Sequence, residues 1–510
     1  MKRSMGHRQG IDWVLTLVPL AIIALLSAVL MLFPGRAGEI LEKLRDIFVN
    51  QWGFFYIILG LGVLCMALGL AVSKKGEIRF GNLEKPRYGN FSWGAMIFTS
   101  TMAADILYWS LIEWCYYYSQ SSQVIEGATL SQKQEFASAY PLFHWGPIPW
   151  AFYILPACAY AYMMFVKKRQ RQTLSEACRP LLGKRVDTKA GTWIDIFSIV
   201  GLLAGTATTF SLATPLLAGA AAKLTGINST PALSVLFLVV IGLVFMVAVL
   251  TGMKAISHLA TGCVVVFCVL LGIFVLFGPK VYLIETGITA IGNVADQFLH
   301  MATWMDPLRV SGTGGSGFPQ NWTIFYWAYW ISWFVATPFF IARISEGRTL
   351  RQTVLGGLSC GLLGTYTSFL VFGGFGLYLQ TSGEENLAMA LERGKPPEQV
   401  ILQIFEHLPF QKLALVVLIL AMIAFYASTF DAITLVVAGY SEKSLQGSGE
   451  PRRGLRAFWA VVFLLLPVAL LFSESTLTML QNISILAAFP LGIIMICILA
   501  SFWKELKQRK

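Results

Sequence analysis

The chain has 510 residues, of which 56% are hydrophobic and only 13% are charged, and its formal net charge is +11. A soluble domain carries about 25% charged residues, so this composition excludes an ordinary soluble protein and indicates a chain that uses lipid as part of its solvent. The positive charge does not indicate nucleic-acid binding, because the basic residues lie in short loops between apolar runs. No C-x-x-C pair occurs among the eight cysteines, so neither a disulfide framework nor a zinc site is implied.

Apolar runs of about 20 residues recur along the chain, and each is long enough to cross a bilayer as a helix. We count about twelve, which predicts an all-α integral membrane protein. The first run, residues 13–33, is too long for the apolar region of a signal peptide, so we interpret it as a retained helix. If the N-terminus is cytoplasmic, most of the 38 Lys and Arg residues fall on the inner side of twelve alternating spans. This bias predicts a multi-pass protein of the cell (inner) membrane with cytoplasmic N- and C-termini.

The third apolar run opens with small and hydroxylated residues and carries Asp105 near its middle. An ionisable residue at that depth is costly in lipid, which makes Asp105 a candidate functional residue; the alternative is a protonated Asp that hydrogen-bonds locally. Glu113 lies nearer the outer end of the same span, and we interpret it as structural. His144, at the start of the next motif, is also interpreted as a hydrogen-bonded structural residue rather than a proton relay.

The next candidate motif is the aromatic segment FHWGPIPWAFY at residues 143–153. Its two prolines do not fit a helix interior, so the chain is expected to enter this span through an irregular or first-turn segment. Trp145 precedes the break, whereas Trp150 and Tyr153 follow it on one helical face. An interfacial aromatic belt and a binding wall both remain open here.

The densest aromatic cluster is WTIFYWAYWISW at residues 322–333, with four tryptophans and two tyrosines. Helical spacing places Tyr326, Trp330 and Trp333 on one stripe. Such a stripe can be simple packing in a membrane bundle. It can also form one wall of a cage for a quaternary ammonium, which the negative ring faces attract.

A third motif, FYASTFD at residues 425–431, lies in the middle of another span. Its Ser428 and Thr429 offer hydroxyl oxygens beside Asp431, and hard monovalent cations bind such oxygens together with carbonyls freed by an unwound helix. Helix–helix hydrogen bonding is the commoner role of such residues. The small-residue stretch at 204–211 is interpreted as a packing face.

Three motifs carry a resemblance to the betaine/carnitine/choline transporter family: FHWGPxPW at 143–150, WTxFYWAxW at 322–330 and IARISxGRT at 341–349. Matching hydropathy extends the resemblance over nearly the whole chain, and residues 100–118 and 212–216 are most similar to the carnitine/γ-butyrobetaine antiporter branch. The resemblance implies a LeuT-type core of inverted five-helix repeats preceded by two extra helices. The implied parts are a tail with two peripheral helices (1–90), a first repeat (91–278), an outer surface helix (279–321), a second repeat (322–503) and a basic cytoplasmic tail (504–510).

The resemblance also implies a mid-membrane site for a betaine-, carnitine- or choline-type substrate. The implied binding residues are Trp145, Trp150, Tyr153 and Trp330, which we call the aromatic cage, together with Tyr116, Tyr329 and, on the inner substrate path, Trp333. Each ring contact to a desolvated cation contributes about 0.5–2 kcal/mol, so three or four rings suffice without a formal charge partner. Members of the family often assemble as trimers, so a homotrimer is expected.

The mode of energy coupling is read from departures from the family pattern. The glycine-rich segment of sodium-coupled members is TMAAD at 101–105 here, and Asp105 replaces its last glycine, as in proton-coupled choline-type members. The sodium-site positions are partly retained: Thr99, Met102 and Phe425 through carbonyls, and Ser428 and Thr429 through hydroxyls. Where the antiporter branch has an arginine, this chain has Cys263. Sodium symport through the Ser428/Thr429 site, proton symport through Asp105 and substrate:product exchange all remain open.

Other functional classes have little support in the sequence. An integral-membrane enzyme is disfavoured, because only five histidines occur and no H-E-x-x-H motif, paired catalytic carboxylates or Ser-His-Asp set is visible. No cofactor is expected beyond a coupling ion. A membrane sensor, which would bind the substrate without moving it, is the remaining alternative.

Overall fold

The computed structural model describes residues 10–99, 103–169, 171–251, 253–312, 314–443, 451–472 and 477–508. Its regular secondary structure over these ranges is helical, in agreement with the predicted all-α fold. Three helices come first: α1 (Trp13–Leu32), α2 (Pro34–Asp46) and α3 (Gly53–Val72).

The region predicted as the first repeat contains nine α-helices within the described ranges. They are α4 (Asn90–Thr99), α5 (Ala103–Val124), α6 (Leu130–His144), α7 (Pro147–Ala161), α8 (Leu174–Ala177), α9 (Arg179–Leu182), α10 (Lys189–Thr225), α11 (Pro231–Thr251) and α12 (Met253–Phe277). The connecting region holds α13 (Lys280–Thr303) and α14 (Leu308–Ser311). The axis of Lys280–Thr303 turns by 110° from that of Gly262–Phe277, so α13 does not continue the preceding span.

The region predicted as the second repeat follows the same plan of long helices and short connecting ones. Its helices are α15 (Ile324–Trp333), α16 (Thr337–Ile344), α17 (Leu350–Ser368), α18 (Gly374–Ser382), α19 (Leu387–Glu392), α20 (Pro397–Glu406), α21 (Gln411–Tyr440), α22 (Arg453–Phe472) and α23 (Leu477–Gln508). The division of the chain into repeats stays a prediction.

The lengths and composition of these helices fit a membrane bundle. Within the described ranges, eight helices are each long and apolar enough to cross a bilayer, and bent pairs counted as single spans raise the number to eleven. A shorter apolar helix, Pro231–Val247, lies in α11. Many large apolar side chains face outward from the bundle, including those of Leu25, Val72 and Leu363. Such exposure is favourable only against lipid or another protein.

Two of the spans are broken. The helices Asn90–Thr99 and Ala104–Val124 meet at 64°, and Pro319–Trp333 and Thr337–Ile344 meet at 55°. Each break falls in the first span of a predicted repeat. Discontinuous helices leave backbone groups unpaired at membrane depth, where they can serve a ligand or an ion.

The interior is most aromatic around α5, the α6–α7 junction and α15. α15 packs against α23 and α10, while α7 packs against α16, α3 and α17. The largest buried side chains are dominated by tryptophans: Trp109, Trp114, Trp145, Trp150, Trp327, Trp330, Trp333 and Trp459. Seven of these eight lie on or beside the three elements named above, so the fold gathers its indole rings in one region.

Candidate functional site

The indole of Trp330, on α15, lies at the centre of the aromatic cage. Its ring centroid is 5.3 Å from that of Trp145, 5.3 Å from that of Trp150 and 4.8 Å from that of Tyr153. The two tryptophans meet it edge to face, at 67° and 68°, whereas Tyr153 is tilted by 38°. All four side chains are buried. The structure thus brings together the four rings of the cage, from α15 and from both sides of the α6–α7 break.

The break between α6 and α7 sets the directions of Trp145 and Trp150. Trp145 is the C-terminal cap of α6, and Pro147 opens α7 after an extended Gly146. A Cβ atom on Gly146 would lie 2.6 Å from the carbonyl oxygen of Leu142, so the turn requires glycine. The prediction that proline opens this helix is confirmed, since its missing N–H costs nothing in a first turn.

A second glycine makes room for the cage from the side of α17. A Cβ atom on Gly361 would lie 2.4, 2.5 and 2.7 Å from three ring atoms of Trp150. Ordinary carbon contacts are about 3.5–4.0 Å long. The indole of Trp150 therefore lies directly on the α17 backbone, and any larger residue at position 361 would displace it.

Three predicted binding residues on α7 and α15 have buried indole N–H groups with no partner among the described residues. Those of Trp150, Trp330 and Trp333 are buried with no hydrogen-bond acceptor in the part of the chain that the structure describes. Leaving a buried donor unpaired costs about 1–3 kcal/mol, and most such groups in proteins are paired. Trp333, the last residue of α15, lies at the break before α16. These donors can therefore serve an acceptor group on a ligand.

Tyr329 faces a buried carboxylate. Its hydroxyl donates to Asp105 Oδ1 over 2.7 Å, and Thr209 Oγ1 donates to Asp105 Oδ2 over 3.0 Å. The two hydroxyls are themselves 2.6 Å apart. Among the residues that the structure describes, the side-chain hydrogen-bond donors to Asp105 therefore come from α15 and α10. Sequence reasoning missed Thr209, because it lies in a stretch of small residues interpreted as a packing face.

Tyr116 lies apart from the cage. Its ring centroid is 5.2 Å from that of Trp322 and 6.5 Å from that of Trp109. Trp322 precedes Trp330 by eight residues, which is about 12 Å along a helix axis. A substrate contact of Tyr116 stays a prediction, and it would concern a neighbouring part of the site rather than the four rings around Trp330.

Apart from Asp105, the predicted coupling-ion positions that the structure describes lie on two helices, α4 and α21, which are in contact. Thr99 ends α4, where its hydroxyl donates to the Ala95 carbonyl over 2.9 Å; Met102 lies outside the described residues. On α21, the Thr429 hydroxyl donates to the Phe425 carbonyl over 2.9 Å, and Ser428 is partly buried. The helix is continuous here, so this carbonyl is not freed by unwinding. A sodium ion at Ser428/Thr429 stays a prediction.

Glu113 has more contacts than its assigned structural role anticipated. The carboxylate accepts hydrogen bonds from Trp145 Nε1 and from the hydroxyls of Tyr326 and Tyr117. His144 lies beside it, with Nδ1 2.7 Å from the Tyr117 hydroxyl. The sequence shows an acid in an apolar span, but helical spacing alone does not reveal a partner on another helix.

Comparisons with known proteins agree with the resemblance seen in the motifs. The profile of the family described as betaine/carnitine/choline family transporter matches residues 14–510. Among similar proteins, an uncharacterized transporter of Escherichia coli, YeaV, is 30% identical over 89% of this chain and 92% of its own. A carnitine transporter of Acinetobacter baumannii is 27% identical over 85% of this chain and 78% of its own. The glycine betaine transporter OpuD of Bacillus subtilis is 26% identical over 99% and 96%.

The family match covers almost the full chain and includes every element of the cage. It supports a membrane transporter rather than an enzyme, as the sequence indicated. The chain belongs to the betaine/carnitine/choline transporter family.

Proposed function

We propose that this transporter carries a quaternary or methylated ammonium compound of the betaine, carnitine or choline type, by alternating access around the aromatic cage. The observation that carries the proposal is the convergence of Trp145, Trp150 and Tyr153 on Trp330 in a buried site. A permanently methylated nitrogen cannot be neutralised or hydrogen-bonded, so ring faces are the groups suited to bind it. The relatives named for carnitine and glycine betaine support the same substrate class.

The cage also suggests how binding is linked to movement. Its ring centroids are 4.8–5.3 Å apart, which is direct contact between rings. A trimethylammonium group needs its nitrogen within about 6 Å of each ring centroid and its methyl groups between the rings. The rings of α7 and α15 must therefore separate to admit it. Because these helices belong to different predicted repeats, substrate binding favours a change in how the repeats pack.

The indole N–H groups without an acceptor among the described residues are suited to bind the carboxylate end of a zwitterionic substrate. Betaine and carnitine carry a carboxylate, which is a strong hydrogen-bond acceptor. Trp150, Trp330 and Trp333 each supply a buried N–H group that lacks an acceptor within the described ranges. Choline has a hydroxyl instead, so this end of the site is where the three substrates are distinguished.

For energy coupling, the contacts of Asp105 favour a proton or cation. A carboxylate buried at this depth with hydroxyl donors is costly in its ionised form, and binding a proton or a cation removes that cost. Symport is therefore the first candidate, through Asp105 or through sodium at Ser428/Thr429. Substrate:product exchange is the second candidate, and the antiporter-like motif at residues 100–118 supports it.

Transport in proteoliposomes separates these candidates. Labelled glycine betaine, carnitine and choline are offered under imposed sodium or proton gradients, with and without internal substrate. Symport predicts accumulation that follows one gradient without internal substrate. Exchange predicts uptake that needs internal substrate and ignores both gradients, while binding without any flux would indicate a sensor.

Mutations of the cage test the binding step itself. Trp330→Ala and Trp150→Ala are expected to abolish binding of all three compounds while leaving expression largely intact. Trp193→Ala is the matched control, because this indole is 51% exposed on α10. Retained affinity in both cage variants would refute the proposal.

Membrane orientation and assembly complete the proposal. The positive-inside bias supports cytoplasmic N- and C-termini in the cell membrane, and the family resemblance supports a homotrimer. Reporter fusions at each terminus test the orientation. The mass of the detergent-solubilised protein from light scattering tests the trimer, and a monomeric mass would contradict it.

A further inference from the structure

The carboxylate of Glu113 links Trp145 of the aromatic cage to α15, the helix that carries Trp330. Trp145 Nε1 donates to Oε2 over 2.7 Å, and the Tyr326 hydroxyl donates to the same oxygen over 2.6 Å. Trp145 belongs to the α6–α7 break, whereas Tyr326 lies on α15, one turn before Trp330. The rings of Trp145 and Tyr326 are also in contact, with centroids 5.7 Å apart. One buried side chain on α5 thus binds a residue of the α6–α7 break and a residue of α15.

The other carboxylate oxygen of Glu113, Oε1, accepts a hydrogen bond from Tyr117. The Tyr117 hydroxyl donates to Oε1 over 2.7 Å and is also 2.7 Å from His144 Nδ1. The second ring nitrogen of His144 lies 3.0 Å from Thr323 Oγ1. Because both the carboxylate and the imidazole are fully buried, each contact is made in a low dielectric, where hydrogen bonds are strong and geometry is well defined. The carboxylate therefore has a fixed position beside Trp145.

Trp145 differs from the other cage indoles because its N–H group has an acceptor. The N–H groups of Trp150 and Trp330 have no acceptor in the described part of the chain, whereas that of Trp145 is bound to a carboxylate. An acceptor at Nε1 fixes which edge and which face of the indole point into the site. It also draws the N–H proton outward and leaves the ring face more negative, since linked hydrogen bonds polarise one another. A more negative face attracts a cation more strongly.

We propose that Glu113 is a positioning residue that orients and polarises the Trp145 ring, and so raises the preference of the site for an ammonium group over an uncharged tert-butyl group of the same shape. This inference rests on the proposed function. It assigns Glu113 no direct contact with the substrate. Its effect is transmitted through the indole, so it disappears when position 145 carries a ring without an N–H group.

A pair of ligands that differ only in charge measures this preference. Glycine betaine and tert-butylacetate have the same shape, but the second has carbon in place of the charged nitrogen. The dissociation constant of tert-butylacetate divided by that of glycine betaine, both measured by calorimetry on the purified full-length transporter, reports the preference for the ammonium group. A higher ratio means a stronger preference. Glu113→Leu is expected to lower this ratio about tenfold, which corresponds to the loss of one favourable ring contact. Glu113→Gln retains an oxygen that can accept from Trp145, so its ratio should lie between those of the wild type and Glu113→Leu.

Two further variants separate positioning from general damage. Tyr117→Phe removes a donor to the other carboxylate oxygen and should leave the ratio close to that of the wild type, although stability falls. In a Trp145→Phe background, which keeps a ring but no N–H, Glu113→Leu should cause no further fall in the ratio. An unchanged ratio in Glu113→Leu would overturn the inference, as would an equal fall in both backgrounds. Failure of the proposed function is distinct, since then Trp330→Ala itself would leave glycine betaine binding intact.

Discussion

The contact between Gly361 and Trp150 offers a way to move one cage ring without replacing it. In Gly361→Ala, the new methyl group would lie 2.4–2.7 Å from three atoms of the indole. Relief to an ordinary contact of about 3.5 Å requires a shift of about 1 Å. The α17 backbone cannot easily yield, so the indole must move, and it is in contact with the ring of Trp330, at 5.3 Å between centroids. The displacement is therefore transmitted into the cage.

Two effects of this substitution can be separated by magnitude. Overpacking of a buried site costs about 1–3 kcal/mol of folding free energy. Misplacing one ring removes about 0.5–2 kcal/mol of binding free energy, which weakens affinity for a quaternary ammonium about 2- to 30-fold. Calorimetric titration with glycine betaine, carnitine and choline measures the second effect, and thermal unfolding in detergent measures the first. Gly62→Ala on α3 is the control, because a Cβ atom there has no neighbour within 4 Å. Wild-type affinity in Gly361→Ala, with a stability loss, would refute the placement of Trp150 in the binding site.

The remaining predictions concern coupling. Asp105→Asn removes a titratable group and should flatten the pH dependence of uptake in proteoliposomes; an unchanged profile would remove Asp105 from coupling. Tyr329→Phe deletes one of the hydroxyl donors to Asp105 and should alter the same profile; a profile identical to that of the wild type would contradict this role. If sodium binds at Ser428/Thr429, Ser428→Ala and Thr429→Val remove its two predicted hydroxyl ligands and should raise the sodium concentration needed for half-maximal uptake by roughly tenfold or more, about 1.4 kcal/mol of binding free energy. Identical sodium curves would eliminate this site.

Much of the cage could be predicted from the sequence because its residues sit on short, strongly patterned segments. Helical spacing placed Trp150 and Tyr153 on one face, and the proline break separated them from Trp145. Their convergence on Trp330 was an expectation from the family resemblance, since no local pattern relates residues nearly two hundred positions apart. The structure brings these rings into contact.

The sequence could not supply the partners of the buried acids. Helical periodicity gives the face on which a residue lies, but neither its depth nor its neighbour on another helix. Thr209 therefore looked like part of a packing face, and Glu113 like a structural acid near the end of a span. The role of each residue depends on a tertiary contact. Thr209 donates to Asp105, and Glu113 accepts from Trp145. Tyr116 illustrates the same limit, because its aromatic character was visible while its distance from Trp330 was not.

The most direct test of the central claim replaces Trp330 by tryptophans that carry increasing numbers of fluorine atoms. Fluorine withdraws electron density from the ring face and leaves the shape of the indole nearly unchanged, so it weakens cation–π attraction in steps. The account predicts that glycine betaine affinity falls with each added fluorine, whereas binding of tert-butylacetate, whose tert-butyl group carries no charge, does not. Affinity for glycine betaine that is indifferent to fluorination would show that Trp330 only fills space, and would contradict recognition of the ammonium by the aromatic cage.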